Sequence, residues 1–168
     1  TRQIWQRLGH SAASLGTLGL QPPRPDAPQS LTTPDPVDLH RCLAELADDG
    51  VECLAMEASS HGLDQYRLDG VRVTAAAVTN LTRDHLDYHG DMAAYGKAKM
   101  RLFAELLAAD GTAVLNADLP FGNEVRAVCQ QRRLRTITYG IAESDLRLIT
   151  QEPTEGGQRL ILDIFGHA

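Results

Sequence analysis

The feature of this sequence that most constrains its fold is a series of short apolar runs that each end in polar residues. Cys53–Met56 ends at Glu57, Arg72–Val78 ends at Thr79 and Asn80, and Thr112–Leu115 ends at Asn116. Segments with helical patterns lie between these runs. Because strands that alternate with helices join a parallel sheet through crossovers, this order predicts an α/β fold with a mainly parallel, doubly wound sheet.

Four segments have helical patterns, and one of them has explicit start and stop residues. Asp35 is a good N-cap, Pro36 suits the first helical position, and Gly50 is a stop signal. The predicted helices are Thr1–Gly9, Pro36–Asp49, Met92–Ala109 and Phe121–Gln131. The positions of the second helix that are expected to face a core are Val37, Leu39, Leu43, Leu46 and Ala47.

The remaining segments predict further strands and one irregular stretch. Ser14–Leu20 favours a short strand, Gln21–Pro36 is proline-rich and is predicted to be irregular, and Arg135–Tyr139 favours a strand. Near the C-terminus, Asp145–Gln151 and Gln158–Phe165 alternate apolar and polar residues on either side of a glycine-containing turn. That pattern predicts an antiparallel hairpin appended to the sheet.

Composition excludes several classes of protein. A chain of 168 residues can bury a core, and its net charge of −6 argues against a nucleic-acid-binding surface. The three cysteines form no Cys-x-x-Cys pair, and no apolar run is long enough to span a bilayer. We therefore expect a cytoplasmic protein without membrane or nucleic-acid partners. The helical pattern that begins at Thr1 has no cap, so we expect further sequence upstream.

The polar residues that follow the predicted strands are candidates for a site. In an open α/β sheet, ligands bind at the carboxyl ends of the strands, where Glu57, Asn80, His85 and Asn116 are expected to converge. The Glu57 carboxylate and the His85 imidazole could hold a divalent cation. Taken singly, each is more often a helix cap or a hydrogen-bonded loop residue.

Two kinds of cation near these loops are also candidates. Lys97 and Lys99 are the chain's only lysines and point to different faces of the predicted helix, so at most one is expected to face the site. Arg67 lies in a polar loop and suits a carboxylate or a phosphate. For all three, a solvated surface position is an equally simple interpretation.

Six short blocks of residues together match the pattern of a known family. In chain order they are Thr32-Thr33-Pro34, Glu57-x-Ser59-Ser60-His61-Gly62-Leu63, Gln65-x-Arg67, Thr79-Asn80-Leu81-x-x-Asp84-His85-Leu86-Asp87-Tyr88-His89-Gly90, Lys97-Ala98-Lys99 and Asn116-Ala117-Asp118. In this order and spacing the chain resembles the Mur ligases, most closely those of the MurE type. The fold implied is the central ATPase-type domain of those enzymes.

The resemblance implies an ATP-dependent ligase of peptidoglycan-precursor synthesis. ATP would phosphorylate the terminal carboxylate of UDP-N-acetylmuramoyl-L-Ala-D-Glu, and the amine of diaminopimelate or lysine would then attack the acyl phosphate. By position, the residues implied to contact the UDP-sugar dipeptide are Thr32, Thr33, Ser59, Gln65 and Arg67. Glu57, His85 and a carbamylated Lys99 are implied at Mg²⁺, with His85 and Lys99 catalytic. Asn80 and Asn116 are implied at the nucleotide.

The sequence also departs from the family pattern. It contains no Gly-x-x-x-x-Gly-Lys-[Ser/Thr] phosphate-binding loop, and Leu119 stands where a second Asp often follows Asn116-Ala117-Asp118. We therefore expect residues 1–168 to be a single, incomplete central domain without the uridine-binding and C-terminal domains. Such a chain is expected to have negligible turnover, and it could self-associate through the sheet edge that a missing strand exposes.

Two alternatives remain from the sequence. The chain could be a non-catalytic module that binds a ligand or partner through the same sheet edge. It could also belong to another amide ligase of the superfamily, such as a folylpolyglutamate synthase type, although the Ser59-Ser60-His61-Gly62 block disfavours that interpretation.

Overall fold

The computed structural model describes residues 1–25, 27 and 31–167. Contacts between Cα atoms divide the chain into two compact units, Thr1–Val71 and Arg72–Ala168, and each is described by itself. The α/β class predicted from the sequence is confirmed in both units. No helix among the described residues is long and apolar enough to cross a membrane.

The first unit contains a three-stranded sheet and three helices. The strands are β1 (Ala12–Gly16), β2 (Gly19–Gln21) and β3 (Cys53–Met56), and the helices are α1 (Arg2–Arg7), α2 (Pro36–Asp48) and α3 (Ser60–Asp64). β1 pairs with β2 in an antiparallel hairpin and with β3 in parallel. The described part of the proline-rich segment contains no helix or strand between β2 and α2, as predicted.

The start of α2 confirms the cap predicted from the sequence. The Asp35 carboxylate accepts hydrogen bonds from the N–H groups of Val37 and Asp38, and Pro36 occupies the first turn. The buried face differs from the prediction, because Leu39, Cys42 and Leu46 are buried whereas Val37 is 74 % exposed. Val37 lies in the first turn, beyond the part of the helix that packs on the unit's core.

The second unit contains a five-stranded sheet. Its strands are β4 (Val73–Val78), β5 (Leu107–Asn116), β6 (Arg135–Gly140), β7 (Leu146–Thr154) and β8 (Gly157–Ile164), in that spatial order, and its helices are α4 (Leu86–His89), α5 (Met92–Arg101) and α6 (Pro120–Gln131). β4 to β7 pair in parallel, and β7 and β8 form the predicted antiparallel hairpin. The core under β4 and β5 includes Phe103, Leu115, Val125 and Cys129, each at most 1 % exposed.

Two sequence predictions about this fold are wrong in detail. The strands belong to two hydrogen-bonded sheets, because β3 takes β1 as its parallel neighbour. The predicted helix Met92–Ala109 is shorter: α5 ends at Arg101, a π-helical turn covers Leu102–Leu106, and β5 begins at Leu107. β3 itself is half-buried along its length.

Candidate active site

In the first unit, Thr33 makes hydrogen bonds that connect several of the sequence motifs predicted to form a site. Its side chain is fully buried, and its hydroxyl donates to the Glu57 carbonyl oxygen at 2.9 Å while accepting from the Ser59 N–H at 3.0 Å. Arg67 donates from Nη1 to the Thr33 carbonyl oxygen at 2.8 Å and also contacts the Gln65 amide oxygen. Residues from three separate loops are therefore held together, and the Thr33 hydroxyl is occupied in holding them.

Glu57 follows β3 and is exposed, and its carboxylate is oriented by the β1–β2 turn. Its Oε2 accepts from the Thr17 N–H at 3.1 Å and from the Thr17 hydroxyl at 2.9 Å, and the same hydroxyl lies 3.3 Å from the Thr32 hydroxyl. Gly16 leaves room for this approach, because a Cβ there would lie 2.8 Å from Glu57 Oε2 and 3.1 Å from Glu57 Cβ. Gly16, Thr17 and Glu57 line a cleft of about 320 Å³ between the β1–β2 turn and the end of β3.

Thr17 is a site residue that sequence reasoning missed. It lies in the apolar stretch that predicted only a short strand, and its contact with Glu57 spans 40 residues of sequence. The glycines on either side of the turn, Gly16 and Gly19, were the signal that a backbone turn and a close approach occur there.

In the second unit, the carboxyl ends of β4, β5 and β6 are tied together by side chains. Asn116 donates from Nδ2 to the Thr79 carbonyl oxygen at 3.0 Å and accepts from the Asp118 N–H at 2.9 Å. The Tyr139 hydroxyl donates to the Val78 carbonyl oxygen at 3.2 Å. The predicted convergence of the β4 and β5 ends is therefore confirmed, while Asn116 uses its amide to hold that edge together.

Asp118 fixes the loop that follows β6. Its carboxylate accepts from the N–H groups of Ala142 at 2.8 Å and Ile141 at 2.8 Å. The hydrogen bond from the Ala142 N–H, and to a smaller extent that from the Ile141 N–H, lowers the pKa of Asp118 below its usual value. Gly140 allows the approach, because a Cβ there would lie 2.7 Å from the carboxylate. Asn80, the other residue implied at the nucleotide, is exposed just beyond β4.

His85 has an unusual backbone conformation. It is the N-cap of α4 with φ of 53°, in the left-handed region that non-glycine residues rarely occupy. Asp84 supports this turn, because its Oδ1 accepts from the His85 N–H at 2.8 Å and its Oδ2 lies 3.4 Å from His85 Nε2. Residues held in sparsely populated backbone conformations cluster at functional sites.

Lys99 lies on α5 next to a group of aromatic rings. Its Nζ is 5.2 Å from the centre of the Tyr95 ring, and Tyr95 also lies beside His85 and His89 at ring-centre distances of 6.2 Å and 5.3 Å. Burial, assisted by the charge of Asp84, raises the pKa of Tyr95, so this phenol stays neutral. Lys97 is exposed, which agrees with the prediction that the two lysines occupy different faces.

The donor chemistry of these residues fits Mg²⁺ in part. Glu57 offers a carboxylate whose Oε2 accepts from Thr17, while no hydrogen bond from the described residues engages its Oε1, and Mg²⁺ prefers such hard oxygen ligands. An imidazole is a less typical ligand for Mg²⁺, although Asp84 places carboxylate oxygens beside His85. An ammonium cannot bind a cation, so Lys99 fits only as a carbamate. Among the described residues, no three His, Cys, Asp or Glu side chains group into a metal centre.

Comparison with known proteins identifies relatives of the same kind as the sequence blocks suggested. Over 140 residues the chain is 56 % identical to the UDP-N-acetylmuramoyl-L-alanyl-D-glutamate–2,6-diaminopimelate ligase of Bradyrhizobium diazoefficiens, covering 83 % of this chain and 29 % of the relative. Over 171 residues it is 48 % identical to the ligase of the same name from Caulobacter vibrioides, covering 98 % of this chain and 35 % of the relative. The chain thus spans about a third of the length of these relatives.

Solved structures agree with this assignment. A structure of a UDP-N-acetylmuramoyl-L-alanyl-D-glutamate–2,6-diaminopimelate ligase matches with a TM-score of 0.82 and 30 % identity, over 97 % of this chain and 33 % of that one. The MurF ligase of Thermotoga maritima, solved with ADP, matches with a TM-score of 0.70 at 16 % identity over 99 % of this chain and 35 % of that one, and shows the fold alone.

The predicted MurE-type resemblance is confirmed by these relatives. The Mur ligase middle domain family matches residues 1–166, which is almost the whole chain. This chain belongs to the Mur ligase middle domain family.

Proposed function

We propose that residues 1–168 form the central part of an ATP-dependent ligase that adds the third amino acid to UDP-N-acetylmuramoyl-L-Ala-D-Glu. The observation that carries this proposal is the identity of 48 % with a ligase of that name over 98 % of the chain. The positions of Glu57, His85 and Asn116 support it, since each follows the carboxyl end of a strand that has a parallel neighbour.

The proposed reaction has two steps. A carboxylate oxygen of the dipeptide attacks the γ-phosphorus of ATP, and ADP leaves. The amine of diaminopimelate or lysine then attacks the acyl carbon, phosphate leaves, and the amine gives up a proton as the amide forms. Mg²⁺, when bound, would offset the negative charge of the phosphates in the first step.

In this proposal the chain's residues have distinct tasks. Glu57 and His85 would hold the metal, and Thr17 keeps the Glu57 carboxylate in one orientation through two hydrogen bonds. Thr32, Ser59, Gln65 and Arg67 bind the UDP-sugar dipeptide, while the buried Thr33 positions their loops. Asn80 and Asn116 lie at the nucleotide.

Lys99 acts in this proposal as a carbamate. Its amine would add to CO₂ and release a proton, which replaces a cation with an anionic group whose oxygens would suit a metal ion. Carbon-13 NMR with labelled bicarbonate tests the adduct directly. A Lys99→Ala variant that keeps the carbamate signal would contradict the assignment to this side chain.

A chimera tests the proposed function. The corresponding segment of the Caulobacter relative is replaced by this chain, and phosphate release is measured with ATP, UDP-N-acetylmuramoyl-L-Ala-D-Glu and diaminopimelate. We expect turnover, and we expect Glu57→Gln and Lys99→Ala to lower kcat by on the order of a hundredfold, as the loss of a charge-stabilising group does. Lys97→Ala is the matched control, because Lys97 is exposed on the same helix.

The chimera experiment can contradict either the proposed function or the role of Lys99. A folded chimera without turnover would contradict the proposed function. If the Lys97 and Lys99 variants lose the same fraction of kcat, the loss arises from a change in the helix and not from the absence of a carbamate. For the 168-residue chain alone we expect negligible turnover. Calorimetry that detects dipeptide binding and no ligase activity in the chimera would favour a binding module instead.

A further inference from the structure

The turn after α3 brings the side chains of Gln65 and Arg67 together. The Arg67 N–H donates to the Gly62 carbonyl oxygen at 2.9 Å. The Tyr66 N–H donates to the Leu63 carbonyl oxygen at 3.3 Å, and these two bonds are the pattern of a Schellman helix end. Tyr66 has φ of 59°, in the left-handed region that this helix end uses, so the backbone turns between residues 65 and 67.

The Arg67 guanidinium is held from two sides. Its Nε donates to the Gln65 amide oxygen at 3.0 Å, and its Nη2 donates to the same oxygen. Its Nη1 donates to the Thr33 carbonyl oxygen at 2.8 Å. Thr33 is fully buried and its hydroxyl is bonded to Glu57 and Ser59, so this side is fixed by the interior of the unit. The exposed Gln65 amide is therefore the contact that a substitution can remove without opening the core.

Both acceptors are uncharged, so they leave the positive charge of Arg67 in place. Every hydrogen bond of the Arg67 side chain within the described residues goes to an amide or carbonyl oxygen, and none goes to a carboxylate. These bonds leave one N–H group on Nη1 and one on Nη2. A guanidinium with two such N–H groups and an unneutralised charge suits a carboxylate or a phosphate of a ligand.

We propose that Gln65 is a positioning residue, whose amide oxygen holds the Arg67 guanidinium in place for an anionic group of the ligand without neutralising its charge. This inference rests on the proposed function, which places both residues at the UDP-sugar dipeptide. It gives Gln65 a task in addition to any contact of its own with the dipeptide. Methionine at this position would remove the oxygen, whereas glutamate would keep an oxygen and add a negative charge.

Nitrogen-15 relaxation of the Arg67 Nε–H group tests the positioning in the chain itself, without any ligand. In the wild type we expect an order parameter near that of a rigid backbone, about 0.85, and in Gln65→Met a value below about 0.6. Tyr66→Gly is the matched control, because glycine adopts the left-handed turn without strain and Gln65 is retained. The same order parameter in the wild type and in Gln65→Met would overturn the proposal, as would an equal loss in Tyr66→Gly.

A double-mutant cycle tests the consequence for binding in the ligase chimera described above. Calorimetry measures the Kd for UDP-N-acetylmuramoyl-L-Ala-D-Glu in Gln65→Met, in Arg67→Ala and in the double variant. We expect Gln65→Met alone to raise Kd by about tenfold, but by less than about threefold in the Arg67→Ala background, because no guanidinium is left to position. Additive effects of the two substitutions would overturn the proposal.

Thr32→Val is the matched control for the cycle. Thr32 is proposed to contact the dipeptide, and its hydroxyl lies beside that of Thr17 rather than beside Gln65 or Arg67. Its effect on Kd is therefore expected to be the same with and without Arg67. Thermal unfolding of each variant checks the fold. Absence of dipeptide binding in the unsubstituted chimera would contradict the proposed function, whereas the relaxation measurement tests the role of Gln65 independently of it.

Gln65→Glu separates charge from geometry. We expect this variant to raise Kd by at least about tenfold and to weaken the dependence of binding on salt, because the added carboxylate neutralises the guanidinium. Wild-type affinity in Gln65→Glu would overturn the argument from charge.

A second ligand identifies the anion that Arg67 meets. UDP-N-acetylglucosamine has the diphosphate but no carboxylate, so Arg67→Ala weakens its binding only if the anion is a phosphate. Gln65→Met is expected to weaken the binding of this ligand only if Arg67→Ala does so too. An effect of Gln65→Met on a ligand that Arg67→Ala leaves unchanged would overturn the proposal.

Discussion

At the scale of single residues, Gly122 is a position where the addition of one methyl group should lower the stability of the protein strongly. A Cβ at Gly122 would lie 2.2 Å from the Asn116 carbonyl oxygen, a backbone atom that cannot rotate away. We expect Gly122→Ala to lower the free energy of unfolding by about 2–3 kcal/mol, because α6 must move away from the end of β5. Urea denaturation measures the change.

The control for this prediction is Gly156→Ala. A Cβ at Gly156 meets no atom within 4 Å, so this substitution tests the chemical change without the clash. Equal losses of stability in the two variants would contradict the steric explanation.

Asp145 is a residue whose ionisation should contribute to the stability of the second unit. Its Oδ2 accepts from the Thr138 N–H at 2.7 Å and from the Thr138 hydroxyl at 2.8 Å, and these bonds lower the pKa of Asp145. A lowered folded-state pKa stabilises the protein above the unfolded-state pKa of about 3.9, and this contribution is lost as pH falls through the folded-state value.

We therefore expect Asp145→Asn to lower the free energy of unfolding by about 1–2 kcal/mol at neutral pH, as the loss of charge-assisted hydrogen bonds does. The difference from the wild type should shrink as pH falls from about 4 through the lowered pKa of Asp145, because the folded carboxylate then becomes protonated and as uncharged as the asparagine. Denaturation curves across pH measure this, with Glu143→Gln in the same loop as the control. A difference independent of pH would exclude the ionisation argument.

The sequence predicted the roles of residues with local contacts better than the roles of residues with distant contacts. The Asp35 cap was predictable because its hydrogen bonds reach residues two and three positions along the chain. The role of Thr33 was not, because its hydroxyl bonds to residues 24 and 26 positions away. The sequence therefore identified Thr33 as a site residue, and only the fold revealed that its hydroxyl is occupied.

At the scale of secondary structure elements, the end of α5 is decided by a distant side chain. Leu102–Leu106 adopts a π-helical turn where the sequence pattern continues as an α-helix. Arg132 donates to the Phe103 carbonyl oxygen at 2.6 Å and to the Leu107 carbonyl oxygen at 2.9 Å. A local pattern cannot predict a terminus that is satisfied from 25 residues or more away.

We expect Arg132→Met to destabilise the protein by about 2 kcal/mol, because two carbonyl groups in a half-buried place lose their donors. Arg135→Met is the control, since Arg135 is exposed at the start of β6. Thermal unfolding of both variants measures the effect. If the Arg135 variant loses as much stability as the Arg132 variant, the loss of charge, and not the capping of these carbonyls, is responsible.

The sequence predicted best those elements that are bounded by a turn residue or by a residue that starts a helix. The β7–β8 hairpin has alternating residues around Gly156, and α6 begins with Pro120. β5 was predicted only from Thr112, because Asp110-Gly111 is a typical helix stop. In the structure these residues lie inside the irregular pairing of β4 with β5, where Gly111 approaches the Thr74 carbonyl oxygen.

At the scale of the whole molecule, the order of motifs predicted the family and the class of fold, but not the division into two sheets. Strand pairing partners are chosen by contacts between distant segments, and β3 pairs with β1 across about 40 residues. The candidate site was predictable as a set of residues because strand ends can be recognised in sequence. The hydrogen bonds that orient them, such as those of Thr17 to Glu57, required the fold.

Stability should be distributed unevenly over the second unit, and hydrogen exchange can measure this. Ala113 and Leu115 have no exposed surface, and β5 pairs on both sides, so their amides should exchange only through global unfolding. The amides of Leu160 and Leu162 point to the outer side of the edge strand β8 and are expected to exchange faster, because no described strand pairs with that side. Protection of those two amides comparable to that of Ala113 and Leu115 would contradict this uneven distribution.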